Sequence, residues 1–292
     1  MWRILLLVGM LGVAVAQAHG AATSSASPPD RAAAALARPQ PPAAAARRVA
    51  LVIGNGDYRH RPLANARRDS EAVSATLRSL GFDVIDVRDA RPQQMNDALA
   101  EFRRRLAAGG VGLFYFAGHG YQTSRDTLLV PAGSDPRVPA ALVRDSVDLA
   151  AVLRVMSVPR PQQSNVVILD ACLEQPFESS AESAAALPRL PDETLVAYAT
   201  APRGFAADGA AHGIFTAAWL HQLTLAQRAN VNEQLQQATA LVAAATDGRQ
   251  TPRLESTLAQ PLFLAQNRQG TAPERTITMR DLQVVAAQSR GI

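Results

Sequence analysis

Val111-Gly-Leu-Phe-Tyr-Phe-Ala-Gly-His-Gly120 and Asn165-Val-Val-Ile-Leu-Asp-Ala-Cys172 are the two stretches that decide how this chain is read. Each opens as an apolar run of strand length. Each closes on a reactive side chain, His119 in the first and Cys172 in the second. Apolar runs without alternation suit strands covered on both faces, as in a parallel sheet. Ligands of such sheets bind beyond the carboxyl ends of the strands. The two segments therefore predict a thiol and an imidazole at one sheet edge.

Working outward, Val49-Ala-Leu-Val-Ile53 reads as a buried strand stopped by Gly54, and Phe82-Asp-Val-Ile-Asp-Val87 as another. Between them Asp69 to Leu80 has a helical face of Val73, Leu77 and Leu80, with Gly81 as its stop. Pro92 opens a helix in which Met95, Leu99, Phe102 and Leu106 follow the 3.6 period. Thr127-Leu-Leu-Val130 is read as one arm of a hairpin, and Ser146 to Met156 as a helix. Thr194-Leu-Val-Ala-Tyr-Ala199 is a further strand, followed by helices near 214–226 and 231–245 and a short last strand, Leu262-Phe-Leu264. Strands alternating with helices predict an α/β fold: a three-layer sandwich around a mostly parallel six-stranded sheet, with helices on both faces.

The amino terminus has the layout of a secretory signal: Arg3, an apolar stretch from Ile4 to Ala16, and the small-residue pattern Ala16-Gln17-Ala18. The alternative, an uncleaved anchor, is disfavoured because a membrane span needs about 20 residues. The expected organisation is a signal peptide at 1–18, an Ala/Pro-rich linker at 19–46, one catalytic domain at 47–265 and a tail at 266–292. An exported protein is expected, periplasmic or secreted, with no stable membrane insertion after signal removal. In an oxidising compartment a single cysteine has no internal partner and is open to oxidation. Chemistry explains its presence better than packing, although a buried inert thiol is the bland reading.

Net charge is +4 and every basic residue is arginine. Arg103-Arg104-Arg105 lies in a predicted helix, so its members point around the axis as a solvated face. No zinc-ligand spacing and no aromatic–basic stripe supports nucleic-acid binding. Gly54-Asn-Gly56 follows a strand but lacks the third glycine of a dinucleotide loop (position 59 is Arg), which leaves a tight turn that shapes a cleft. No cofactor and no metal is expected. The oligomeric state is left open.

A thiol–imidazole enzyme needs a base near the thiol and donors for the oxyanion of the tetrahedral intermediate. His119 stands between Gly118 and Gly120, where the chain can turn and bring backbone N–H groups close to a substrate. The N–H groups of Gly120 and Cys172 are the candidate oxyanion hole.

Leu113-Phe-Tyr-Phe-Ala-Gly-His-Gly-Tyr121, Val167-Ile-Leu-Asp-Ala-Cys172 and Leu51-Val-Ile-Gly-Asn-Gly-Asp-Tyr-Arg59 together resemble the caspase-like cysteine peptidases, in particular their paracaspase and bacterial caspase-homologue branch. Tyr198-Ala-Thr-Ala-Pro202, Gly213-Ile-Phe-Thr216 and Gly248-Arg-Gln-Thr-Pro252 extend the resemblance, in collinear order, from Arg48 to Leu264. The 53 residues from His119 to Cys172 agree with the separation of about 50 seen in caspases. The resemblance implies a caspase-type fold and a cysteine endopeptidase in which Cys172 attacks and His119 moves the proton. It also implies cleavage after Arg of a peptide or protein substrate, because Asp170 stands two residues before Cys172 as in metacaspases and paracaspases. Residues two apart on a strand share a side, and a desolvated carboxylate there suits a guanidinium. Asp69 matches a second acidic substrate-binding position; its bland reading is a carboxylate at a helix N-terminus.

There are departures. Leu173-Glu-Gln-Pro176 stands where bacterial relatives often carry Arg-Asn-Asn-Pro. The third acidic pocket residue of the paracaspase pattern falls near Phe205, so that contact is either missing or replaced by Asp208, and no calcium-ligand cluster is recognisable. Arg189, in the long connection before Thr194, is a candidate self-cleavage site. The rival to the enzyme is a catalytically silent caspase-fold interaction module; a nucleotide-binding α/β protein is a more distant third.

Overall fold

Five consecutive apolar residues, Val49 to Ile53, are buried in β1 (Arg48–Gly54), as a strand sandwiched between two helical layers requires. The computed structural model describes residues 47–123, 126–135, 138–174, 189–201, 211–225 and 227–265. The signal and linker expected at 1–46, the tail from 266, Phe205 and Asp208 lie outside the described residues.

After β1 come α1 (Ala66–Ser79), β2 (Asp83–Arg88), α2 (Pro92–Leu106) and β3 (Val111–Ala117), which is buried along its whole length. Short strands β4 (Gly120–Gln122) and β5 (Thr127–Leu129) form the expected hairpin. α3 (Pro139–Asp145), β6 (Val147–Asp148) and α4 (Leu149–Met156) lead to β7 (Ser164–Asp170) and β8 (Leu173–Glu174). The described chain closes with β9 (Thr194–Tyr198), α5 (Ile214–Leu225), α6 (Val231–Ala245) and β10 (Arg253–Ser256).

The main sheet has six strands in the order β10-β9-β7-β3-β1-β2, all pairings parallel except β10 with β9. Alternate residues face opposite layers. Ala50, Val52, Tyr115, Val166 and Ile168 pack toward Val73 and Leu77 of α1 and Phe215 and Trp219 of α5. Leu51, Ile53, Phe114, Phe116, Val167 and Leu169 pack toward Met95 and Phe102 of α2 and Leu149 and Leu153 of α4. This is the three-layer α/β sandwich that the apolar runs predict.

The sequence reading starts α1 at Asp69 where it begins at Ala66 and omits α3, and it also misplaces the last strand and the start of α4. The last strand is Arg253–Ser256 and not Leu262–Leu264. As an antiparallel edge strand it needs only one covered side, so its signal is the alternation Arg-Leu-Glu-Ser instead of an apolar run. Leu262 instead accepts a hydrogen bond from Val231 N–H at 2.7 Å, and Leu264 is buried as a plug while Arg48 donates to its carbonyl. The helix expected from Ser146 begins at Leu149, because Asp148 caps it by accepting from Ala151 N–H at 2.6 Å.

A second sheet, in the order β6-β5-β4-β8, is built from the segments that directly follow β3 and β7. Its one parallel pairing, β4 with β8, joins the continuation of the histidine strand to the continuation of the cysteine strand.

Candidate active site

The ladder between β3 and β7 pairs Ala117 with Asp170, and that between β4 and β8 pairs Gly120 with Leu173. Both ladders share one register offset, 53 residues, which is also the separation of His119 from Cys172. The two candidate catalytic residues therefore occupy matching positions in the β3–β4 and β7–β8 links, just past the carboxyl edge of the main sheet. Gly120 is held close to Cys172: a β-carbon built on it would lie 3.2 Å from the Cys172 carbonyl and 3.1 Å from Ala171 Cβ. Leu173, one of the departures from the bacterial pattern, is buried in the core and fills a structural position.

His119 is 4% exposed and its ring is oriented from two sides. Its Nε2 lies 2.7 Å from the carbonyl oxygen of Arg61. A carbonyl only accepts, so Nε2 carries the hydrogen and Nδ1 becomes the basic nitrogen of the neutral ring. The Tyr58 ring packs against the imidazole, with centroids 4.4 Å apart. The backbone N–H of His119 donates to the Tyr58 hydroxyl at 3.1 Å, which donates in turn to the Val130 carbonyl at 2.9 Å. Burial pushes the Tyr58 phenol well above its ordinary range, so it remains a donor. Gly118 is required here, since a β-carbon would come within 2.7 Å of the Tyr58 hydroxyl and the Phe116 ring.

Arg61 has φ of 56°, a left-handed conformation for a non-glycine residue, which costs about 1–3 kcal/mol and recurs at functional sites. The loop that holds it is anchored by Asn55, fully buried. Asn55 N–H donates to the Ala117 carbonyl, its Nδ2 donates to the Val130 carbonyl, and its Oδ1 accepts from Ala90 N–H. The N–H groups of Gly56 and Asp57 both donate to Asp89 Oδ1 at 2.8 Å. Gly54-Asn-Gly56 is thus a turn whose Asn55 and Gly56 N–H groups are spent inside the protein and not offered to a phosphate.

Asp170 continues the row of Val166 and Ile168, so its side chain faces the layer of α1 and α5. Its Oδ2 accepts from the Thr216 hydroxyl at 2.5 Å, and Thr216 is linked to the Tyr115 hydroxyl at 2.6 Å. Asp69, in the first turn of α1 and 3% exposed, reaches the same place. Its Oδ2 accepts from Gly213 N–H at 3.1 Å and its Oδ1 from His212 Nδ1 at 2.7 Å. A β-carbon on Gly213 would lie 2.9 Å from Asp170 Oδ2 and 3.3 Å from Asp69 Oδ2. The two carboxylates converge there, beside the N-terminus of α5, whose dipole favours negative charge. Burial, together with the charges of Asp170 and Asp69, pushes the Tyr115 phenol well above its ordinary range and keeps it neutral.

Of the five sequence-predicted site residues, Gly120 thus lies beside Cys172, His119 matches Cys172 in register, and Asp170 and Asp69 converge at Gly213. Tyr58, Thr216, His212 and the Arg61 carbonyl are additions. Tyr58 and Thr216 lie inside quoted motifs, but a backbone carbonyl leaves no side-chain signal. Among the described residues no group of three or more His, Cys, Asp or Glu side chains is placed to hold a metal ion, and no helix is long and apolar enough to cross a membrane.

Residues 47–263 match the family described as caspase domain. Over 128 residues, 43% of this chain, the sequence is 33% identical to mucosa-associated lymphoid tissue lymphoma translocation protein 1 of Homo sapiens and 32% identical to its Mus musculus homolog. The matched stretch spans only 15% of the length of those relatives. The crystal structure of caspase-1 from Spodoptera frugiperda superposes with a TM-score of 0.58 at 14% identity, covering 76% of this chain and 93% of that one. It shares the fold. With the family match spanning most of the chain and the solved structure agreeing in architecture, the chain belongs to the caspase domain family.

Proposed function

We propose that the protein is a cysteine endopeptidase that cuts after arginine, with Cys172 as nucleophile and His119 as proton carrier. The observation that carries this reading is the match of His119 with Cys172 in register while its Nε2 is committed to the Arg61 carbonyl. Nδ1 then takes the thiol proton as Cys172 Sγ attacks the scissile carbonyl carbon. The N–H groups of Gly120 and Cys172 receive the developing oxyanion, a contribution of about 10²–10³ in rate per donor. The intermediate collapses as the leaving amine takes the proton from His119. The thioester that remains is cleaved by water, which gives a proton to the same nitrogen.

Convergence of Asp69 and Asp170 at Gly213 supports a basic P1 side chain. A guanidinium entering there meets two carboxylates already held by Thr216, Gly213 and His212. We also propose export, with a mature N-terminus at His19, testable by mass spectrometry of the processed protein.

Fluorogenic peptides with Arg, Lys or Asp at P1, assayed on the wild type and on Cys172→Ala, test the reading. Turnover of the Arg peptide by the wild type alone is expected. Equal turnover by Cys172→Ala would remove the thiol from the mechanism, and cleavage only after Asp would remove the acidic pocket. No turnover of any peptide would favour a silent interaction module.

A further inference from the structure

Thr224 of α5, Thr239 of α6 and Thr246 at the end of α6 each donate to the carbonyl four residues earlier, those of Leu220, Leu235 and Val242. This is an ordinary use of a threonine hydroxyl in a helix. Thr216, in the first turn of α5 and fully buried, does otherwise: its hydroxyl donates to Asp170 Oδ2. A hydroxyl has one hydrogen. With that of Thr216 spent on Asp170, the 2.6 Å contact with the Tyr115 hydroxyl runs the other way, Tyr115 donating to Thr216. The phenol keeps its hydrogen for this, since burial and then the charges of Asp170 and Asp69 push it well above its ordinary range. Its ring is fixed from behind. Tyr115 pairs with Val52 and Ile168 in the middle of the main sheet and stacks on Trp219 of α5, with centroids 6.2 Å apart.

We propose that Tyr115 and Thr216 are positioning residues for substrate specificity, a buried pair of hydroxyls that aims the Asp170 carboxylate at an arginine side chain in the P1 pocket. The inference rests on the basic-P1 reading above. Both residues are fully buried and act through Asp170. Tyr115 selects the outward rotamer of Thr216: were the threonine to turn back onto its helix, the phenol hydrogen would lose its acceptor inside the core, a state that buried polar groups avoid. Further contacts of Asp170 leave this direction unchanged, because it is set by the single hydrogen of each hydroxyl. One carboxylate oxygen is thus fixed from the middle of the sheet, and the plane of the carboxylate with it.

The test uses the full chain as Cys172→Ala, so that binding is measured without turnover, and two peptides differing only in Arg or citrulline at P1. Dissociation constants are measured on this parent and with Thr216→Val, Thr216→Ser or Tyr115→Phe added. The Arg-to-citrulline affinity ratio is expected to fall about tenfold with Thr216→Val and roughly threefold with Tyr115→Phe. Thr216→Ser keeps the hydroxyl and is expected to recover most of the ratio. A parent ratio above one that neither Val nor Phe lowers overturns the role of the two hydroxyls and leaves the basic pocket standing. Affinities that fall alike for both peptides, or a Ser variant no better than Val, do the same. A ratio of one in the parent overturns the basic pocket, and this inference with it. NMR of the parent, which keeps both hydroxyls, is independent of how the other variants fold. A slowly exchanging Tyr115 hydroxyl proton with a cross-peak to the Thr216 side chain is expected, and one exchanging as fast as a solvated phenol would contradict the inference.

Discussion

His119 and Cys172 lie at one register offset between two ladders, bracketed by Ala117 against Asp170 and by Gly120 against Leu173. Their separation in sequence is the register offset of the sheet, so neither residue depends on a flexible loop to find the other. An insertion or deletion between β3 and β7 is harmless to this pairing only if the register is kept.

Tyr58→Phe removes the hydroxyl that accepts from His119 N–H and donates to Val130. Loss of this buried link is expected to cost about 1–2 kcal/mol of stability. It is also expected to lower kcat roughly tenfold, since small displacements of catalytic groups are costly. Chemical denaturation and steady-state kinetics on the variant check both; unchanged kcat would remove Tyr58 as a positioning residue.

Asp170→Asn keeps the shape of the pocket and deletes one charge. Hydrogen bonds to charged groups are worth about 1.5–3 kcal/mol, so kcat/KM for an Arg peptide is expected to fall about 10- to 100-fold. The same constant for a citrulline peptide is expected to change little. A parallel fall for both peptides would mean that Asp170 supports the nucleophile and not the substrate.

Gly213→Ala places a methyl between the two carboxylates, 2.9 Å from Asp170 Oδ2 and 3.3 Å from Asp69 Oδ2. Displacing either oxygen by a few tenths of an ångström is expected to raise KM for the Arg peptide about tenfold. Labelling of Cys172 by a small alkylating agent, which does not enter the pocket, is expected to be unaffected. Kinetics with both reagents separate a filled pocket from a damaged dyad.

Asn55→Ala strips two side-chain bonds from the fully buried turn after β1, leaving the Val130 carbonyl without its donor and the Ala90 N–H without its acceptor. Each buried group left unsatisfied costs about 1–3 kcal/mol, so the melting temperature is expected to drop by several degrees or more. A neutral result would show that the turn is held by Asp89 alone.

Much of the architecture was legible because the buried strands carry unbroken apolar runs, as Val49–Ile53 and Val111–Phe116 do. Arg253–Ser256 was not, since an edge strand covered on one side alternates and is short. The places of His119, Cys172 and Asp170 in the fold were legible because each lies at or just past the end of an apolar strand, and that of Asp69 because it lies in the first turn of a helix. The Arg61 carbonyl could not be, as any residue supplies a carbonyl and only the φ of 56° directs this one. His212 was hidden for another reason: nothing local in the sequence ties it to Asp69, a residue 143 positions earlier.

The central claim is that Cys172 attacks a carbonyl positioned by an arginine side chain. Acyloxymethyl ketone peptides with Arg or Asp at P1, followed by peptide mapping, test it directly on the mature protein. The account predicts one adduct, on Cys172, formed at least tenfold faster by the Arg reagent and lost in His119→Ala. Absence of the adduct, or equal rates for the two reagents, would contradict it.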